Sequence, residues 1–62
     1  MEDFRELLLA SQKEQKGVQI YVNGQTIAIV VTAVGLEYVE GKNREYAKVL
    51  VRVDKIDAVA KA

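Results

Sequence analysis

The sequence predicts a mostly β domain with one N-terminal helix, its sheet bent strongly enough to form a small five-stranded antiparallel barrel. Three observations predict it. Apolar residues recur at helical spacing before Gly17 and alternate with a period of two after it. Turn signals at Asn23-Gly24, Gly35, Gly41-Lys42-Asn43 and Asp54-Lys55 cut the remainder into short apolar runs. No second helical stretch follows to cover a flat sheet, so the sheet must cover itself by bending.

Residues 3–16 read as the helix. Asp3 is placed to cap it, and Glu6 three positions later completes a capping-box pattern. Lys13 and Lys16 fall in the last turn, and Gly17 stands where a left-handed C-cap belongs. Phe4, Leu7, Leu8 and Ser11 share one stripe, which is expected to face inward while 12–16 is solvated.

The five strands are expected within 18–59. Val18, Ile20 and Val22 alternate with Gln19, Tyr21 and Asn23, giving a strand with one apolar face. Asn23-Gly24 accepts the positive φ angles of a tight hairpin turn. The second strand, 26–34, is apolar at Ile27, Ile29, Val31 and Ala33 and also at Ala28, Val30 and Val34, so both its faces are expected to be covered. Gly35 offers a turn or bulge before a shorter strand at 36–40, and Gly41-Lys42-Asn43 reads as the next turn. A long strand is expected at 44–53, a break at Asp54-Lys55, a short last strand at 56–59 and a frayed tail at 60–62.

Composition narrows the function classes. A 62-residue chain is one domain, and a core of this size supplies roughly 3–5 kcal/mol, so further support is needed. Without Cys or His there is neither a disulfide nor a thiolate or imidazole metal site. Half the residues are apolar, too many for a disordered chain, which leaves self-association as the support. Nine basic and nine acidic residues cancel, so no overall field draws the chain to nucleic acid or to an anionic membrane. No apolar run approaches the ~20 residues of a membrane span, and the acidic start Met1-Glu2-Asp3-Phe4-Arg5-Glu6 is unlike a signal peptide. A cytoplasmic protein is the expectation. Without proline, the edges of the terminal strands are unprotected and read as intended subunit contacts.

The order of elements, with Val18-Gln19-Ile20-Tyr21-Val22-Asn23-Gly24 and Val51-Arg52-Val53-Asp54-Lys55-Ile56-Asp57-Ala58-Val59, resembles the two motifs of the Sm-like family, and within it the Hfq-type RNA chaperones. The resemblance implies an SH3-like barrel whose last strands pair edge to edge between subunits, closing a homo-oligomeric ring of roughly five to seven copies. On that reading Val49, Val51, Val53, Ile56 and Val59 belong to the subunit interface. The chain departs from the family at Val53 and Asp54, which stand where a basic residue and a His help bind uridine. Tyr21 matches the tyrosine that stacks on adenine, with one residue fewer before Asn23.

Catalysis finds little to work with. The hydroxyl nucleophiles Ser11, Thr26 and Thr32 lie in regular elements, with only Lys or carboxylate as base. Asp54 and Asp57 read as solvated turn residues rather than cation ligands. The function that the Sm-like resemblance then implies is non-catalytic binding of single-stranded RNA, without a cofactor. Tyr21, Asn23, Gly24, Gln25, Thr26 and Tyr38 would supply stacking and hydrogen bonds, and Arg52 and Lys55 phosphate contacts. The alternative is a structural or protein-binding ring module without RNA affinity.

Overall fold

In the computed structural model, which describes residues 4–61, helix α1 (Phe4–Glu14) precedes β1 (Gly17–Val22), β2 (Gln25–Val34), β3 (Tyr38–Lys42), β4 (Val49–Arg52) and β5 (Ile56–Lys61). A single 3-10 turn, Val53–Lys55, links the last two strands. All pairings are antiparallel, in the order β4-β3-β2-β1-β5, so β4 and β5 are the edges of an open sheet. In a flat sheet the end of β4 would lie at least four strand spacings, about 19 Å, from the start of β5. The 3-10 turn rises only roughly 2 Å per residue. The sheet must therefore coil until its two edges approach each other at this end.

The concave face holds the core. Val18 and Ile20 of β1, Ile29 and Val31 of β2, Val39, Val51 and Ile56 pack with Leu8 of α1, which is fully buried. Each such side chain contributes about 1.5–3 kcal/mol by leaving water. Phe4 and Leu7 are half-buried and Leu8 and Ser11 buried, so the expected inward stripe of α1 holds. The proposed Asp3 cap lies outside the described residues.

The helix stops earlier than its composition suggests. Gln15, not Gly17, takes the left-handed conformation, with φ of 60°. The Ser11 carbonyl accepts the N–H groups of both Gln15 and Lys16, a Schellman-type ending that releases Gly17 to begin β1. The Asn23-Gly24 hairpin is as expected, with φ of 51° and 79° at the two loop residues.

β2 is longer than both of its neighbours and outruns them at opposite ends. Its ladder to β1 ends at Val30, opposite Gly17. Beyond that point the N–H of Val31 donates to Ser11 Oγ at 3.1 Å, while the Ser11 hydroxyl donates to the Lys16 carbonyl. Gln12 Nε2 then donates to the Thr32 carbonyl at 3.0 Å. The end of α1 thus completes the hydrogen bonding that β1 cannot reach. At the opposite end the ladder to β3 begins only at Val30, opposite Lys42.

Several expectations need correction. The expected two-face burial of β2 does not hold within the chain, because Ala28 and Ala33 are exposed. A bulge at Thr32 shifts the alternation, so that Val31 and Val34 both point inward and Ala33 points out. The shorter strand runs from Tyr38 to Lys42 instead of 36–40, and Gly41 lies inside it rather than in a turn. The long strand expected at 44–53 is only Val49–Arg52. Asn43 accounts for the loss: its Oδ1 accepts the N–H groups of Glu45 and Tyr46, at 2.9 and 2.8 Å, winding those residues into a turn. The tail is not frayed at 60 and 61, since Ala60 and Lys61 pair with Gln19 and Val18. Residue 62 lies outside the described residues.

Candidate nucleic-acid interface

Five of the expected binding residues meet at one hairpin. Tyr21 stands on the convex face of β1, opposite Thr26 on one side and Ala58 on the other, with Asn23, Gly24 and Gln25 at the adjoining turn. The residue is 37% exposed, and its hydroxyl donates to Gln19 Oε1 at 3.3 Å. Gln19 lies opposite Ala28 and Ala60. Tyr21 and Gln19 therefore rise on the convex face among small neighbours, Ala28, Ala58 and Ala60. Neither Gln19 nor the alanines stood out in the sequence; the signal was there in small residues alternating with Asp57 and Val59 on the last strand.

A second group lies across the sheet. Tyr38 and Arg52 are register partners on β3 and β4, and Leu50 faces Glu40 beside them. Tyr38 and Leu50 are 47% and 58% exposed, an apolar convex surface at the β4 edge. The Arg52 guanidinium pairs with Asp54 at 3.1 Å, and Lys48 lies 3.6 Å from Glu40, so both cations already have a neighbouring carboxylate. Lys55 forms no ion pair among the described residues. It borders a shallow open recess with Asn23, Asp54 and Asp57. Asp57 is the extra residue of a bulge on β5, and its Oδ2 accepts the Asn23 N–H at 2.9 Å. That contact ties the turn to the sheet edge, so Asp57 has a structural role the sequence did not suggest.

The five residues expected at a subunit interface all turn their side chains inward. Val51 and Ile56 belong to the core, and Val49, Val53 and Val59 are half-buried against it. What the edges present is main chain. Val22 and Gln25 close a two-residue hairpin, so Val22, Ile20 and Val18 bond to β2, and Tyr21 and Gln19 bond to β5. By the same alternation, Val59 and Lys61 on β5, and Leu50 and Arg52 on β4, direct their N–H and C=O groups to the free edges.

Comparisons with protein-family models, with curated proteins and with solved structures return no match. Among the described residues no group of three or more acidic side chains is placed to hold a metal ion, and no helix is long and apolar enough to cross a membrane.

Proposed function

We propose that this chain assembles into a closed homo-oligomeric ring of roughly five to seven copies that binds single-stranded RNA on its convex face without catalysing a reaction. The observation that carries this reading is the pair of bare edges. β4 and β5 both end the sheet with unpaired main chain, both place their inward side chains in the core, and the sequence has no proline to guard either one, although α1 packs against part of β5. Pairing β4 of one copy with β5 of the next would join edges of opposite ends of the sheet. That contact is heterologous and closes only as a ring. The helix, the Asn23-Gly24 hairpin and the break before Ile56 follow the element order of the Sm-like resemblance, which is the second support.

In such a ring the exposed Tyr38 and Leu50 of one copy would adjoin the alanines and Tyr21 of its neighbour. A base stacked on Tyr21 gains about 1–3 kcal/mol, too little for one site but sufficient when the site repeats around a ring. Thr26 supplies a hydroxyl beside the Tyr21 ring, Gln25 stands at the turn on the other face, and Lys55 supplies a cation near the turn. Tyr21→Ala, checked to be folded and oligomeric, should bind A-rich RNA at least about tenfold more weakly than the parent in a filter or anisotropy assay. Equal binding would remove the RNA half of the proposal.

One observation favours the alternative, a protein-binding ring without RNA affinity. Arg52 is held by Asp54, and Asp57 lies beside Lys55, leaving little free positive charge near Tyr21. A salt series separates the two readings, because affinity that rests on phosphate contacts falls steeply as salt rises.

A further inference from the structure

The N-terminal half of β2 has no neighbour on its β3 side. Thr26 and Ala28 point their main-chain groups away from β1, toward the place where β3 would continue beyond Lys42. Instead, the chain turns at Asn43, whose N–H donates to the Tyr46 carbonyl at 3.0 Å. One group of this row is satisfied: Asn43 Nδ2 donates to the Ala28 carbonyl at 3.2 Å. No other bond from the 43–48 loop reaches it among the described residues, so the Thr26 N–H and C=O and the Ala28 N–H face an open groove of about 610 Å³. The end of β2 near α1 is treated differently, since Ser11 and Gln12 bond there to Val31 and Thr32.

A second, independent feature coincides with the bare row. Ile27 and Val49 carry concave-face side chains, yet both are only half-buried and both line this groove. Tyr46, 60% exposed, stands at its rim. An unpaired ladder row calls for alternating donors and acceptors at the spacing of an extended polypeptide. The partly covered aliphatics call for an apolar side chain on alternate residues of that polypeptide.

We propose that this groove is a docking site for a short extended peptide, added as a strand to the free half of β2, with an aliphatic side chain seated on Ile27 and Val49. Strand addition to an exposed edge supplies affinity through main-chain bonds and selects alternate side chains by the pockets they enter. Arg44 and Glu45 at the rim oppose each other in charge, so the aliphatic position, rather than net charge, sets the preference. The site uses neither free sheet edge; it shares Thr26 and Ala28 with the Tyr21 hairpin, whereas Asn43–Tyr46 belong to the groove alone.

The probe is a short blocked peptide alternating Val and Thr, titrated into the full chain and followed by amide NMR shifts and hydrogen exchange. The expected result is a set of shifts confined to Thr26–Ala28, Asn43–Tyr46 and Val49, with exchange slowed at the Thr26 and Ala28 amides. The same peptide methylated on the nitrogens that would face β2 should bind about tenfold more weakly, the loss expected for roughly one net hydrogen bond. Thr26→Pro removes a groove-facing donor and leaves the bonds to β1 in place; with its fold checked by circular dichroism, it should show the same weakening. Absence of these shifts at millimolar peptide, or equal binding of the methylated peptide, would overturn the proposal. It would equally be overturned if A-rich oligonucleotide alone shifted the Asn43–Tyr46 amides, which lie outside the Tyr21 hairpin, making the groove a nucleic-acid site, or if dilution alone shifted them, making it a contact between copies.

Discussion

Gly41 and Ser11 show most plainly how single residues hold this fold. A Cβ on Gly41 would lie 2.6 Å from the Ile29 Cδ1 and 2.9 Å from the Val30 carbonyl oxygen. The glycine lets β3 pass directly over Ile29, a close approach of backbone to core side chain. Gly41→Ala should therefore destabilise by about 1–3 kcal/mol through overpacking, measured as a lower urea midpoint. Ile29→Val in the same background should recover part of the loss by removing the atom in closest contact. Ser11 is the one buried polar side chain among the described residues, and its hydroxyl links the Lys16 carbonyl to the Val31 N–H. Ser11→Ala would leave both groups without that partner, at a cost of about 1–3 kcal/mol, and the Val31 amide should exchange faster than in the parent. From sequence alone Ser11 was legible as an inward residue by its helical spacing. Its partner was not, because which strand outruns which is a property of the ladder and not of any local pattern.

At the scale of elements, α1, β1 and the first hairpin were readable because local signals and tertiary packing agree there. Periodicity, the Asn23-Gly24 turn and the apolar face of β1 all describe the same structure. The β3–β4 region was misread because alternation persists where the ladder does not. Tyr46 and Lys48 alternate with Ala47 and Val49 as a strand would, yet Asn43 draws two amides into a turn and leaves β4 only Val49–Arg52. Asn43→Ala should release that turn, with faster exchange at the Glu45 and Tyr46 amides and about 1 kcal/mol of lost stability. Unchanged exchange there would show that the turn holds itself without the side chain. The candidate site was legible to the same degree. The Tyr21 hairpin was visible as a motif, whereas its setting among alanines depends on β5 lying beside β1, which only the topology reveals.

For the whole molecule the central question is what the free edges meet. The buried core is built from this chain alone, with Ile27 and Val49 half-covered at its end, so the oligomer is not required to form it. In the proposed ring, neighbouring copies would pair with the outward main chain of β4 and β5 and cover Leu50 and Tyr38. Leu50 is suited to a test, since its side chain is exposed and its N–H faces the free edge rather than β3. Leu50→Pro removes that donor where edge strands tolerate proline. The most direct measurement is native mass spectrometry of the purified parent and of Leu50→Pro, alongside circular dichroism. The expected result is a single closed oligomer of roughly five to seven copies for the parent, and a folded monomer for the variant. A parent that stays monomeric across the concentration range, or a Leu50→Pro variant that still forms the full ring, would contradict assembly through these edges.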